Sequence, residues 1–544
     1  MPRLAISLAG ALCLLTLLLR LSGLGCLLPV FSPLDSQAFA RHVELYREEP
    51  ENVALEGIYY PHLVSRTAAW LPDARRSSAE DLSMALTQAG DPQRDLMLVS
   101  LLFSLLILPA TFLMARRWIG EWPALAATWL VATSLLHHAF STQARPHGTA
   151  AAWISITVLA ALLYRERGGW WRSLAAWSAA ALALGSLHYG LFAIPPVLLA
   201  HLARREGRAG WLRIGAGALL LSLALWCFYP FYFHAPERFF GLQPEGLDLS
   251  GQPLKLSRFT GAGFLTIVWS LLSYDPVLSV LAGLGLVTLR PCSPRQWSAD
   301  TWIATAFLGP YLLVVGLYDE TWERFVLVLL PWIACLGARA VQQAWEQPAR
   351  RFALLALLVI PGLICLQYAL IKRAPSTFEL MAVEVEARCS PEDRIVLAPH
   401  VDLPLFSTPQ ALGENPQAIA LSLWLRYQKQ HVPPERTAAG RMLLAMPGPR
   451  TETLQALREN PHGWLEQHRA RYVVLAGLDP RLEWLAPLAQ WLESHAQRLA
   501  RHAADPQRGG ALLYRHETDW NTWMFLKVLR AERMGQELRL YRLP

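Results

Sequence analysis

The sequence predicts a mainly α-helical polytopic membrane protein of about eleven transmembrane helices, with an α/β domain outside the membrane at its C-terminal end. Three observations predict this. Hydrophobic residues make up 53% of the 544-residue chain and charged residues only 17%, whereas soluble domains average about 25% charged. The apolar excess, which gives a mean hydropathy of +0.26, lies in blocks; about 20 apolar residues cross a bilayer core as a helix. Beyond residue 371 the chain becomes charged throughout and alternates strand and helix patterns. This composition excludes a disordered chain and a small disulfide-stapled scaffold.

Eleven spans are expected near 5–30, 96–114, 122–140, 149–164, 173–188, 191–203, 212–232, 265–289, 301–317, 325–343 and 352–371. The first has signal-peptide features, with Arg3 ahead of a long apolar run, but it continues to Val30-Phe31 and reads as an uncleaved anchor. The fifth and sixth are short and meet at His188-Tyr189-Gly190, as two spans joined by a tight turn or as one broken element. Asp275 would fall near the middle of the eighth, where a charge is expensive and usually functional. The preferred reading is an exterior or interfacial helix ahead of Asp275, with that aspartate near the outer surface.

Arginine placement sets the orientation. Arg3, Arg116, Arg117, Arg165, Arg167, Arg172, Arg204, Arg205, Arg208, Arg213, Arg290, Arg295, Arg339, Arg350 and Arg351 all fall on one side. The opposite short loops hold Arg145, Arg238, Lys255, Arg258 and Arg324. The positive-inside rule then puts the N-terminus in the cytoplasm, and eleven crossings put the tail outside the inner membrane, as a periplasmic domain. The net charge of +7 is thus explained by topology, with no nucleic-acid partner. The division is a membrane module over 1–371, with a first exterior loop at 32–95, and the exterior domain over 372–544. Strands are expected at 394–397, 442–445 and 472–475, and helices at 452–469 and 481–503. The seven cysteines include no CxxC pair, which supports neither a zinc cage nor a disulfide framework.

The first exterior loop carries the most chemistry. Ser32-Pro33 reads as a helix start, serine as N-cap and proline at the first helical position. Asp35 then stands in the first turn, just outside the first span, where the helix dipole favours an ionised carboxylate. Its plainer role is that of a capping carboxylate. Tyr59-Tyr60-Pro61-His62-Leu63-Val64-Ser65-Arg66 opens a second amphipathic helix running to Trp70. Such a pair in the membrane interface would cover a cavity between lipid and water.

Four stretches together are recognisable: Leu34-Asp35-Ser36 with Tyr59-Tyr60-Pro61; Ser141-Thr142-Gln143-Ala144-Arg145-Pro146-His147; Leu187-His188-Tyr189-Gly190; and Glu323-Arg324-Phe325 running on to Leu330-Pro331. With an acid after the first span, many spans and an exterior tail, they resemble the GT-C superfamily of polyprenyl-phosphate-sugar-dependent glycosyltransferases. Within it the chain is similar to the branch of protein O-mannosyltransferases and lipid A aminoarabinose transferases (glycosyltransferase family 39 and bacterial relatives). The resemblance covers roughly 1–371. Family members commonly carry Asp-Glu where this chain has Asp35-Ser36, and the aminoarabinose branch has a lysine and prolines where it has Pro61-His62, so the substrate is not carried over with the fold. The tail signature Trp-Trp-Asp of oligosaccharyltransferases is absent; Trp170-Trp171 precedes Arg172.

The resemblance implies an inverting transfer of a sugar from a polyprenyl-phosphate donor in the bilayer to a protein, lipid or glycan acceptor. Nucleotide sugars are not expected outside the cytoplasmic membrane, so a lipid phosphate must supply the leaving group. Asp35 is the candidate base for the acceptor proton. Arg145 and Arg324 are candidates for the phosphate, since arginine grips phosphate through paired hydrogen bonds; the plainer role of each is snorkelling or pairing with an acid such as Asp319, Glu320 or Glu323. Tyr60, His62, His188 and Tyr189 are further donor or sugar contacts. No cofactor is certain; a divalent metal held by His62, Glu56 and His234 is the one option, without a short-range ligand motif behind it. The competing classes are a transporter, disfavoured because acids collect at outer span ends, and a membrane scaffold, which leaves Asp35 and the outward arginines unexplained.

Overall fold

The computed structural model describes the chain apart from residues 1, 32–33, 54–59, 74–80, 235–246, 249–252, 255, 290–297, 400, 415–418, 420–421, 447–458, 478–484 and 514–522. The described chain is mostly helical. All eleven predicted segments contain helix, and among the described residues seven helical stretches are long and apolar enough to cross a membrane.

The first, α1 (Pro2–Leu21), stops earlier than expected. Residues 22–30 form turns instead, because Gly23 and Gly25 take positive φ of 75° and 78°, a region open to glycine and costly for other residues. Gly23 also lies against the end of the last span; a Cβ there would stand 2.7 Å from Cβ of Lys372. The loop helices follow: α2 (Leu34–Glu48), α3 (Leu63–Ala68) and α4 (Leu82–Ala89). Ser32 and Pro33, the expected helix start, lie outside the described residues, as do Glu56 and Tyr59.

The second span is α5 (Asp91–Leu105) with α6 (Ile107–Ile119). The third is not one helix. It divides into α7 (Glu121–Ala132) and the short, wholly buried α8 (Leu135–Ser141). Next come α9 (His147–Arg167) and α10 (Trp170–Ser186), then a 3-10 turn at His188–Ala193 leading into α11 (Ile194–Arg204). The turn packs so tightly on α10 that a Cβ at Gly190 would fall 2.2 Å from the Ala183 carbonyl. Alanine-rich α10 permits this approach, as small residues do between membrane helices. α12 (Gly207–Phe228) and the five-residue α13 (Pro230–His234) complete this half.

The eighth predicted span is α14 (Ala262–Tyr274) and α15 (Pro276–Val287), broken at Asp275. A separate helix thus precedes Asp275, as the preferred reading has it; the side chain itself is buried, 6% exposed, and its carboxylate accepts hydrogen bonds from Ser134 Oγ (2.6 Å) and Leu135 N (2.7 Å) at the start of α8. Pro276 explains the break, since a residue before proline is steered out of the helical region. α16 (Ala299–Leu317), a 3-10 stretch at Glu323–Leu329 continuing as α17 (Leu330–Trp345), and α18 (Pro348–Ile371) finish the membrane module.

The tail begins with α19 (Thr377–Arg388), whose N-terminus is a capping box between Ser376 and Glu379. Five strands follow: β1 (Arg394–Leu397), β2 (Met442–Ala445), β3 (Tyr472–Ala476), β4 (Gln497–His502) and β5 (Leu538–Arg542). They pair in the order β2-β1-β3-β5-β4, parallel from β2 to β3 and antiparallel from β3 to β4. β3 is apolar and buried along its length, as a central strand covered on both faces should be. The helix expected over 481–503 gives way after His495, because residues 497–502 pair with β5. The tail rests on the membrane module: Met524 N donates to Ser273 Oγ on α14 at 3.0 Å, and Tyr427 bonds Gln88 on α4.

Candidate active site

The elements that bring the site together are the loop helix α2, the turns ahead of α9 and α11, and the 3-10 stretch before α17. α2 is fastened first. Arg47 in its last turn pairs with Asp95 (2.5 Å), Asp91 (3.3 Å) and Asp73 (3.7 Å), so its guanidinium complements both the C-terminal dipole of α2 and the acids around the start of α5. At the other end Asp35 occupies the first helical turn; its side chain lies outside the described residues. Phe39, one turn later, meets Tyr60 with ring centroids 5.2 Å apart.

From Tyr60 the contacts lead inward. His188 lies 6.2 Å from Tyr60 and 5.3 Å from Tyr229. Tyr189 lies 5.9 Å from Phe325 and 6.2 Å from His147, and its hydroxyl donates to the His147 carbonyl at 3.5 Å. His147 opens α9 two residues after Arg145, which is 3% exposed. The Arg145 backbone is fixed by Ser100 Oγ, which donates to its carbonyl at 2.6 Å. Arg324 acts electrostatically on both His147 and Tyr189, and Arg145 acts on His147. Tyr189 and Phe325, the neighbour of Arg324, thus pack near the ring of His147, two residues after Arg145, while Tyr60 and His188 pair with each other, although these residues come from four separate stretches of sequence.

Arg324 is held without an ion pair among the described residues. Its guanidinium carbon stands 5.3 Å from the Trp322 ring centroid and 5.6 Å from that of Phe325, contacts worth about 0.5–2 kcal/mol that leave its hydrogen-bonding edge unspent. Two of the three acids expected as alternative partners are otherwise engaged: Arg258 pairs with Asp319 at 3.6 Å and Glu320 at 3.5 Å.

His62 lies further along the same aromatic chain, 5.8 Å from Phe231, which is 5.7 Å from Tyr229. Its Nδ1 is hydrogen-bonded with Tyr46 Oη at 2.9 Å, its ring lies 4.3 Å from that of His42, and its backbone N–H donates to Phe228 O at 2.9 Å. Burial, with His42 and Arg66 beside it, pushes its pKa well below the usual imidazole value, so it is neutral. Its Nε2 is buried without a hydrogen-bond partner. Among the described residues no three His, Cys, Asp or Glu side chains come together as a metal cage; Glu56 and the His234 side chain lie outside those residues.

Sequence reasoning passed over Arg20, His137 and Lys372. Arg20 is fully buried and donates to His137 Nδ1 (2.7 Å), Ser141 Oγ (3.0 Å) and Ala132 O (3.0 Å). Lys372 Nζ donates to Thr142 Oγ1 at 3.2 Å. A lone arginine or lysine at the end of an apolar run is the signal that would have found both.

Residues 80–234 match the model of a family described as dolichyl-phosphate-mannose-protein mannosyltransferase. No curated protein matches the chain. Among solved structures, ArnT from Cupriavidus metallidurans bound to undecaprenyl phosphate is 12% identical, with a TM-score of 0.48, 98% of this chain and 97% of that chain being covered. The apo oligosaccharyltransferase of Archaeoglobus fulgidus is also 12% identical (TM-score 0.46; 87% and 69% covered). The arabinofuranosyltransferase AftD from Mycobacteria is 14% identical (TM-score 0.40; 98% and 40% covered). The matched residues run from just before α4 to α13, so over this stretch the chain is similar to a family of membrane mannosyltransferases, in keeping with its long apolar helices.

Proposed function

We propose that this chain transfers a sugar from a polyprenyl-phosphate donor to a protein, lipid or glycan acceptor at the extracytoplasmic face of the inner membrane, with inversion at the anomeric carbon. In this reading the N-terminus is cytoplasmic and residues 372–544 form an exterior domain. The observation that supports the proposal is that His147, two residues after Arg145, packs near Tyr189 and near Phe325, the neighbour of Arg324, while Tyr60 joins His188, next to Tyr189, to the helix that bears Asp35.

Asp35 takes the proton of the acceptor hydroxyl as its oxygen attacks the anomeric carbon. The bond from that carbon to the phosphate oxygen breaks on the opposite face, and the electron pair leaves with the lipid phosphate. Arg145 and Arg324 hold the charge that develops there, in a site where low dielectric strengthens each contact. Tyr60, His188 and Tyr189 offer ring faces and polar edges to the sugar. His62, whose Nδ1 is bonded with Tyr46 and whose Nε2 has no hydrogen-bond partner, is a further polar contact at the edge of this set.

The test is incubation of purified full-length protein with a panel of polyprenyl-phosphate sugars, scoring loss of donor and release of polyprenyl phosphate. Consumption of at least one member with its anomeric configuration inverted in the product supports the proposal. Product with retained configuration, or release of sugar in nucleotide-linked form, contradicts it.

A further inference from the structure

Asp275 and Arg20 are buried charges that the proposed chemistry does not use, and both act on the same short helix. α7 ends at Ala132, where the backbone leaves the helical path for Thr133 and Ser134. Ser134 caps α8 by accepting from His137 N at 3.1 Å. Asp275 then accepts from Ser134 Oγ (2.6 Å), Leu135 N (2.7 Å) and Leu136 N (3.4 Å), so the orphan donors of the α8 N-terminus are met by an anion. Arg20 completes the arrangement from the other side. It donates to the Ala132 carbonyl at the C-terminus of α7 and to Ser141 Oγ at the C-terminus of α8. Each charge thus matches the helix terminus it faces.

Four residues beyond Ser141 is Arg145. The intervening residues are buried and held by Lys372 at Thr142 and by Ser100 at the Arg145 carbonyl. We infer that Asp275 and Arg20 are positioning residues: they clamp α8 at both ends and so set where the Arg145 guanidinium stands against the lipid phosphate. This rests on the reading of Arg145 as a phosphate contact. It explains why two charges are kept inside a membrane module, where an ionisable group is rare and marks function, and why a span breaks where its apolar composition does not.

The test is a double-mutant cycle on full-length protein in nanodiscs, reading the Kd for undecaprenyl phosphate alongside the melting temperature. Asp275→Asn keeps one acceptor oxygen but turns an amide donor toward backbone donors. It is expected to weaken binding about tenfold in the wild-type background, a size typical of slight misplacement of a binding group. In an Arg145→Ala background it should add no more than about twofold, since the affected contact is already gone. Ser134→Ala, a milder change, should move Kd about threefold the same way, and covers the case in which Asp275→Asn does not fold. Arg20→Lys keeps the charge and loses the fork, and should fall between the two. Fold-changes that multiply in the double variant, or a Kd unmoved by Asp275→Asn and Ser134→Ala while Arg145→Ala weakens binding, overturn the clamp alone. A Kd unmoved by Arg145→Ala overturns the reading of Arg145 and the clamp with it.

Discussion

The ring of Tyr60 lies 5.2 Å from that of Phe39, one helical turn beyond Asp35, and 6.2 Å from His188 at the turn leading into α11. Tyr60 is therefore a bridge between the first loop and the apolar helices. Tyr60→Ala should lower turnover about 10- to 100-fold, the scale of a small displacement of a catalytic element. Tyr60→Phe, which keeps both ring contacts, should retain most of it. Turnover of the two variants on one donor checks this; equal loss in both would assign the role to the hydroxyl.

Arg145 and Arg324 should each contribute to donor affinity. Replacing either by alanine is expected to raise the donor KM about tenfold or more, which is about 1.4 kcal/mol per decade. Arg324→Lys should also lose affinity, because an ammonium neither forks onto phosphate nor stacks on Trp322 and Phe325 as a guanidinium does. Initial rates against donor concentration decide the matter.

The Arg47 network predicts a stability effect away from the chemistry. Arg47 is 6% exposed in its side chain and faces Asp91 and Asp95, at 9% and 14%. Arg47→Met would remove the guanidinium that these carboxylates share, at a cost of up to about 3–5 kcal/mol. The apparent melting temperature in detergent should fall, and fall less for Arg47→Lys.

His62 sets a pH dependence. Its folded pKa lies well below the ordinary imidazole value, through burial and the neighbouring His42 and Arg66, so the unfolded chain binds its proton first as pH falls. The neutral ring therefore contributes stability above about pH 6.5 that is lost as pH drops below it, by up to about 1.4 kcal/mol per pH unit. His62→Gln keeps a partner for Tyr46 and does not titrate. Melting curves from pH 7.5 to 5.5 should be flatter for that variant than for the parent; parallel curves would show that His62 titrates in the fold as it does in the unfolded chain.

Much of this architecture was legible in the sequence because long apolar runs and parallel core strands have composition signals of their own. The runs that became α9, α12 and α18 match their helices closely, and Tyr472-Val473-Val474-Leu475 is an apolar strand. What escaped notice depends on partners distant in sequence. The break between α7 and α8 is invisible in an unbroken apolar stretch; it exists because Asp275, 140 residues from Leu135, supplies the cap. β4, reading Gln497-Arg498-Leu499-Ala500-Arg501-His502, is polar and partly exposed because it pairs on one side only, with β5. The site residues were picked out by sidedness and local pattern, which cannot separate His188, packed near Tyr60, from His62, packed near Tyr46. Only the fold distinguishes the two.

The central claim is that the Asp35 carboxylate accepts the acceptor's proton. The most direct measurement is donor consumption by Asp35→Asn beside the parent protein, with undecaprenyl phosphate binding measured on both. Loss of about 100- to 10,000-fold in turnover, the usual reach of general-base catalysis, with binding intact, is the predicted result. Undiminished turnover by Asp35→Asn would contradict it.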